Sequence, residues 1–252
     1  MAEPLRIGIA GIAGRMGRET ALAAESHPRV TLVGGVIRPG SPSPEWEGLL
    51  ITSDVAELLP EIDCLIDVSL PTASASFARA SAAQGVPLVC GVTGLEEEAI
   101  AELRAAGATI PVLWSRNLSA GIPLIAHLVR TMAETLATYD IEIVETHHRG
   151  KRDAPSGTAM LLAEAAAEGR ERAIDDVAVY GRSGIAPRVP GEIGIHALRV
   201  GALPGEHMIL FAGEDEEIRI THRALSRRVF AQGAIESAIV LASRQPGFAT
   251  VL

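Results

Sequence analysis

Leu5-Arg-Ile-Gly-Ile-Ala-Gly-Ile-Ala-Gly-Arg-Met-Gly17 is the stretch whose reading decides the fold. Its first part, Leu5 to Ala10, is a short apolar run of strand length. Gly11, Gly14 and Gly17 follow in a GxxGxxG spacing, and an alanine-rich helical pattern then runs through about His27. A strand that passes through glycines into a helix lets the backbone come close to an anion. No side chain blocks the approach, the tight turn tolerates positive φ, and the helix start presents N–H groups. Those are the needs of a dinucleotide pyrophosphate. The spacing is not the commoner GxGxxG, and a purely structural strand-to-helix turn uses the same glycines. It is the place of the turn, after the first strand of a βαβ pattern, that favours a cofactor.

Outward from that turn, strands and helices alternate. Val30–Val36 reads as a second strand, and residues 39–48, with three prolines and two glycines, read as loop. Ile62–Val68 reads as a buried strand, Ala73–Gln84 as a helix, Val86–Cys90 as a strand, Leu95–Ala106 as a helix and Ile110–Trp114 as a strand. This alternation predicts a parallel sheet with helices on both faces. Near residue 117 the pattern changes. Ser119–Thr138 reads as one long helix capped by Ser119, Ile141–His147 as a strand and Ser156–Glu168 as an alanine-rich helix. Ile193–Val200, His207–Phe211 and Glu217–His222 are strand-like runs separated by Gly201-Ala-Leu-Pro-Gly205 and Gly213-Glu-Asp-Glu216, which predicts antiparallel pairing. Val229–Ser243 has the apolar spacing of a core-facing helix.

The fold class expected is α/β. A Rossmann-like dinucleotide-binding domain takes residues 1–116 and 228–252, so the last helix returns to it. Residues 117–227 form a C-terminal α+β domain on a mixed, largely antiparallel sheet, for substrate binding and oligomerisation. The seam near residue 117 is expected to act as a hinge.

Composition narrows the partners. A net charge of −9 argues against nucleic acid as a partner, though it leaves room for a local basic pocket. Apolar residues make up 48% of the chain and aromatics only 3%, so the core is built largely from aliphatic residues and alanine. Cys64 and Cys90 form no CxxC pair and read as small buried hydrophobes in a reducing compartment. No apolar run is long enough for a bilayer. Glu3 and the early glycines do not make a signal peptide. The expectation is a cytoplasmic protein with no membrane partner.

Two positions bear on chemistry. At the end of the second strand, where an acid often holds the ribose hydroxyls, stand Ile37 and Arg38. Arg38 is either a partner for a 2′-phosphate or a solvated surface arginine; the reading favours NADPH, with NADH the alternative. The second is Glu145-Thr-His-His-Arg-Gly-Lys-Arg-Asp-Ala-Pro-Ser-Gly-Thr-Ala159. It leaves a strand, crosses a basic loop and enters a helix at Ser156, Gly157 and Thr158. A loop cation and a helix start can grip the two ends of a small dicarboxylate. His147 and Lys151 are the candidates for proton transfer. Adjacent strand residues face opposite sides, so His147 and His148 need not share a site. A His-His metal site lacks any supporting spacing, and no metal is expected.

The Glu145–Ala159 segment resembles the dihydrodipicolinate reductase family, also called 4-hydroxy-tetrahydrodipicolinate reductase. So do Gly11–Gly17, Gly91-Val-Thr-Gly94, Asn117-Leu-Ser-Ala-Gly121, Arg188-Val-Pro-Gly-Glu-Ile-Gly194 and Gly205-Glu-His207, in order along nearly the whole chain. The resemblance implies His147 as the catalytic donor–acceptor histidine and Lys151 as proton donor. It implies substrate contacts from His148, Gly157 and Thr158. It implies cofactor contacts from Gly11, Ile12, Ala13, Gly14, Arg15, Met16, Arg38, Gly91, Val92, Thr93, Ser115, Arg116, Asn117 and Leu118. It also implies hydride transfer from NADPH or NADH to a ring that has lost water, and a homotetramer built through the C-terminal sheet. Ile37 stands where an acid is common in the family, which weakens the case for NADH. Ser115-Arg116 replaces small residues, Val68-Ser-Leu-Pro71 varies an Asp-Phe-Thr/Ser-x-Pro stretch, and the segment after Gly247 is short. Rival readings are another two-domain NAD(P)-dependent enzyme, such as an amino-acid dehydrogenase, and a non-catalytic NADP sensor. The sensor explains the glycine turn but not the His-His-x-x-Lys loop.

Overall fold

The computed structural model describes residues 3–42 and 46–251, so residues 43–45 of the expected loop lie outside the described residues. The chain divides into two compact units, one built from residues up to Ser119 and from Arg227 onward, the other from Ala120–Ser226.

In the first unit the order is β1 (Leu5–Ala10), α1 (Arg15–Glu25), β2 (Val30–Val36), β3 (Leu50–Thr52), α2 (Val55–Leu58), β4 (Cys64–Asp67), α3 (Pro71–Gln84), β5 (Leu88–Cys90), α4 (Glu97–Ala106) and β6 (Pro111–Trp114). The sheet has seven strands, and its seventh is contributed from the chain's end. All its pairings are parallel. Both faces are covered, which is why these strands are mostly apolar rather than alternating with polar residues. Leu65, Leu88 and Val112 pack on one side with Phe77, Ala78 and Leu103 of α3 and α4. Cys64, Ile66, Val89 and Leu113 pack on the other with Ala23 and Ala24 of α1. β1 has β2 on one side and β4 on the other, so the direction of chain progression reverses there. The carboxyl ends of β1 and β4 therefore flank the crevice where ligands bind in open parallel sheets. Pro71 at the start of α3 and left-handed Gly85 at its end fix that helix's bounds.

The second unit runs α5 (Gly121–Thr135), β7 (Asp140–His147), α6 (Gly157–Gly169), α7 (Ile174–Val177), β8 (Ala178–Tyr180), β9 (Ile193–Arg199), β10 (Gly205–Ala212) and β11 (Glu217–Ala224). Its five-stranded sheet has the order β11-β10-β7-β9-β8. β7, β10 and β11 are antiparallel neighbours, while β9 pairs parallel with both β7 and β8. The last three long strands thus do not form one antiparallel run: β9 lies on the far side of β7 from β10. Ile141, Ile143, Ile195, Ile209 and Phe211 face inward onto Val129 and Ala133 of α5 and the alanines of α6. α5 is shorter than the pattern suggested. Ala120, not Ser119, precedes it, and the Ser119 N–H is bonded to Asn117 Oδ1 at 2.8 Å. At its other end Arg170 donates to the carbonyls of Leu136 and Tyr139, both at 2.8 Å, and turns the chain out of the helix.

The chain then returns to the first unit with α8 (Arg228–Leu241) and β12 (Gly247–Ala249). Ala231, Ala234, Ile235, Ala238 and Leu241 of α8 are buried on the α1 side of the sheet, and β12 extends the sheet beside β6. β3, α2, α7, β8 and β12 span only three or four residues each, too few to show a period in sequence.

Candidate active site

Glycine geometry shapes the carboxyl edge of the first sheet. Gly11, the residue after β1, has φ +83°, and a Cβ there would lie 2.7 Å from the Ser69 Cα. A Cβ on Gly17 would lie 2.1 Å from the Gly11 carbonyl oxygen. No side chain fits at either position, so the turn keeps its backbone bare and α1 sits tight against it. Gly11, Ala13, Gly14, Ile37, Arg38, Ser41, Ser53 and Val68–Leu70 line one cleft of about 510 Å³. Val36, Pro39, Ala73 and Phe77 also line it, so the cleft is mostly apolar, with bare backbone, hydroxyls and the Arg38 guanidinium as its polar features.

Not every residue of the turn faces that cleft. The Ile12 side chain is fully buried and would clash with any side chain at Gly35, so only its backbone is available to a ligand. Gly91, Val92 and Thr93 follow β5, and Ser115–Leu118 follow β6, on the same carboxyl edge. Leu118 covers Gly91 so closely that a Cβ there would lie 2.5 Å from Leu118 Cδ1. Trp114 Nε1 holds the Val92 carbonyl at 3.0 Å. Behind these loops sits Asp67, fully buried at the end of β4. It accepts from the Ser69 N–H at 3.0 Å, the Ser69 hydroxyl at 2.5 Å and the Ser74 hydroxyl at 2.6 Å, with the Cys90 thiol 3.7 Å away. Burial pushes its carboxyl up, against the pull of those donors. Asp67 lies inside the run read from sequence as a buried strand but was not singled out as a site residue.

The second unit concentrates its charge at the carboxyl end of β7. Inward-facing residues alternate along that strand, so Ile141, Ile143, Glu145 and His147 point the same way. Glu145 is fully buried. Its Oε2 accepts from His147 Nδ1 at 2.5 Å and from Arg199 at 2.8 Å. Its Oε1 accepts from the Ser156 N–H at 3.0 Å and from the second Arg199 nitrogen at 2.8 Å. Burial alone would raise this carboxyl, but His147 and Arg199 hold it down at about 2. Arg199 reaches Glu145 because β9 lies next to β7, with His147 opposite Arg199 in register. The same guanidinium donates to the Asp153 carbonyl and so ties down the loop that carries Lys151. Lys151 pairs with Asp153 at 3.0 Å.

Ser156 caps α6: its hydroxyl accepts from the Ala159 N–H at 3.1 Å and lies 3.0 Å from His207 Nε2. The His207 ring stands edge-on to His147, centroids 5.1 Å apart. Burial above all, with His147 acting in the same direction, lowers His207 to about 3, so its ring is neutral. Lys151 also acts on it electrostatically. The structure therefore brings His147, Lys151, Ser156 and the start of α6 together around Glu145, Arg199 and His207. Gly157 and the buried Thr158 form the first turn of α6. His148 lies just past the end of β7, half-buried, its N–H bonded to the Leu203 carbonyl at 2.9 Å. Glu145, Arg199 and His207 were not picked out as site residues from sequence. Glu145 and His207 did lie inside the motifs, and inward alternation with His147 was the signal available for Glu145. Among the described residues no group of histidines, cysteines and acids could hold a metal ion. No helix is long and apolar enough to cross a membrane among them. Both cysteines are free and buried.

The halves of the chain each match a family description: "Dihydrodipicolinate reductase, N-terminus" over residues 5–118 and "Dihydrodipicolinate reductase, C-terminus" over residues 121–251. The 4-hydroxy-tetrahydrodipicolinate reductase of Rubrobacter xylanophilus is 46% identical, covering 96% of this chain and 95% of its own. That of Thermomicrobium roseum is 45% identical, covering 96% of each. Among solved structures, a dipicolinate-bound dihydrodipicolinate reductase from a Paenisporosarcina species superposes with a TM-score of 0.77 at 21% identity, covering 99% of this chain and 98% of the other. C. glutamicum DAP dehydrogenase in complex with DAP shares the fold at a TM-score of 0.60 and 15% identity, covering 100% and 94%. The fold alone is thus common to several dehydrogenases, and it is the sequence match over both halves that decides: the chain belongs to the dihydrodipicolinate reductase family.

Proposed function

We propose that this protein reduces 4-hydroxy-tetrahydrodipicolinate to tetrahydrodipicolinate on the route to diaminopimelate and lysine, using NAD(P)H. The observation that carries the reading is the cluster at the end of β7, where His147, Lys151 and the start of α6 meet around a buried ion pair. That is what a dicarboxylate needing a proton requires. A family match over both halves of the chain supports it.

The first unit fits a dinucleotide, since a Cβ at Gly11 or Gly17 would fill its cradle. Gly11–Met16, Gly91–Thr93 and Ser115–Leu118 are the residues proposed to hold it. Arg38 lines the same cleft as Gly11 and Gly14, which favours a 2′-phosphate and hence NADPH over NADH. When bound, the dihydronicotinamide supplies a hydride to the substrate ring. The chain's own residues do the rest. The first turn of α6, with N–H groups that lack intrahelical acceptors, takes one substrate carboxylate at Gly157 and Thr158. His148 assists from the loop. Lys151 carries the proton delivered to the reduced ring, and His147 serves as the neighbouring proton carrier.

A homotetramer is proposed through the sheet face turned away from α5 and α6, where Val144, Met208 and Leu210 are only half-buried and Leu198 is exposed. A biosynthetic reductase works where its NAD(P)H pool is held, so the cytoplasm is the proposed compartment. The function is tested by following dihydronicotinamide oxidation by the purified protein with freshly formed 4-hydroxy-tetrahydrodipicolinate. Initial rates with NADPH and NADH are compared. Turnover with a higher kcat/KM for NADPH is expected, and no oxidation with either cofactor would overturn the reading. Light scattering on the eluting protein measures the oligomer, and a monomeric mass would remove the tetramer.

A further inference from the structure

The ionised carboxylate beneath His147 has every oxygen occupied. Glu145 Oε1 takes the Ser156 N–H and one Arg199 nitrogen, and Oε2 takes the other Arg199 nitrogen and His147 Nδ1. Arg199 and a backbone N–H can only donate. An ionised carboxylate can only accept. The proton in the 2.5 Å contact between His147 and Glu145 must then sit on Nδ1. We infer that Glu145, pinned by Arg199, is a positioning residue that holds a proton on His147 Nδ1, so that Nε2 is the nitrogen at which this ring gains and loses its proton.

Two further features fit this. His207 stands edge-on against the ring, 5.1 Å between centroids, which resists rotation about χ2. Gly205 lies against the Nε2 edge, where a Cβ would come within 2.8 Å of that nitrogen and no side chain fits. A ring held in this way exchanges its proton with the substrate through Nε2 alone. The proposal rests on the reading of His147 as an active-site group, and it adds which ring nitrogen works and what selects it.

Replacing Glu145 by Gln reverses the selection. The Gln carbonyl is needed on the side of the Ser156 N–H, so the amide NH2 faces His147 and turns Nδ1 into an acceptor. The proton then moves to Nε2.

The test uses the full-length protein labelled with 15N-histidine, read by long-range nitrogen–carbon-bound-proton correlation, with His147→Asn to identify the ring. Expected are an Nδ1–H ring for His147 in the native protein, an Nε2–H ring in Glu145→Gln, and a return to Nδ1–H in Glu145→Asp. In the same samples kcat should fall roughly 10²–10⁴-fold for Glu145→Gln, the range for a lost or wrongly oriented acid–base group. KM should stay within about threefold and Glu145→Asp should recover part of the loss. An Nε2–H ring in the native protein overturns the inference without any variant having to fold. So does an Nδ1–H ring kept in a folded Glu145→Gln. An inverted ring with unchanged turnover would instead remove His147 from the chemistry. It would leave the tautomer assignment standing and sink the reading of the site.

Discussion

At the carboxyl edge of the first sheet, Gly11 and Gly17 matter for the side chains they lack. At the end of β7 in the second unit, Glu145, His147 and His207 matter for the side chains they bury, and Arg199 for the charge it brings to them. The first region works by steric exclusion: backbone meets backbone at 2.7 Å or less from where a Cβ would stand. The second works by mutual satisfaction: a buried carboxylate is tolerable only because each of its oxygens has donors. The two therefore fail differently. A methyl group breaks the turn by force, whereas the charged cluster breaks when one partner leaves and strands the others.

The largest effect expected is on turnover. Lys151→Ala should lower kcat by roughly 10²–10⁴-fold if the ammonium protonates the reduced ring. Its side chain is mostly covered and pairs with Asp153, so steady-state rates are read on a variant whose melting is native. A raised KM with kcat intact would reduce Lys151 to a carboxylate holder. Activity equal to the native protein under both saturating and sub-saturating substrate would move the chemistry away from this loop.

The next largest effect tests steric exclusion. Gly17→Ala should destabilise the protein by on the order of 2–4 kcal/mol, since its Cβ meets a carbonyl oxygen that cannot yield without moving β1 or α1. Denaturant melts monitored by tryptophan fluorescence report this, because Trp46 and Trp114 both lie in the first unit. Gly94→Ala, at a left-handed glycine with open space around it, should cost only about 1 kcal/mol. Equal costs would mean that conformation, not close approach, governs this edge.

A smaller effect separates the cofactors. Arg38→Ala should raise KM for NADPH roughly tenfold, the worth of a charge-assisted contact, and leave KM for NADH nearly unchanged. Parallel changes for both cofactors would make Arg38 an ordinary surface residue.

The smallest effect concerns acid, and here the two regions have opposite signs. Glu145 is held at about 2 against an ordinary 4.5. Its contribution is present above pH 4.5 and is lost as pH falls toward 2. His207 is neutral in the fold, lowered to about 3 from 6.5. Below pH 6.5 the unfolded chain binds its proton and the folded one does not, so stability drops from there toward pH 3. Asp67 is raised above 3.8, so its contribution is complete below that value and is lost as pH rises through its folded pKa. Acidification from neutral pH to pH 4 should thus weaken amide-exchange protection in β7 and β10 before it weakens β1 and β4. Loss of protection in β1 and β4 first would show that other groups control acid stability.

Much of the fold was legible because both main signals are local. β2 is apolar apart from Thr31, and the Ser156 cap and alanines of α6 announce that helix. The GxxGxxG turn and the Glu145–Ala159 segment each lie within about fifteen residues, so their chemistry shows as a string. Strand order in the second unit was not legible. β9 and β10 look like neighbours along the chain, yet the sheet sets β7 between them.

The amino-acid sequence by itself determined the alternating first unit, the bare turn after β1 and the His147–Lys151 loop leading into α6. Each shows as a pattern among residues near in sequence. Only the tertiary structure decided that Arg199, 54 positions away, neutralises Glu145, and that His207, 51 positions away, meets Ser156. It also joined Cys90 to Asp67 across two strands. Burying a charge is unfavourable until its partner arrives, and which partner arrives is set by strand order, a property of the whole sheet that no local period or propensity encodes.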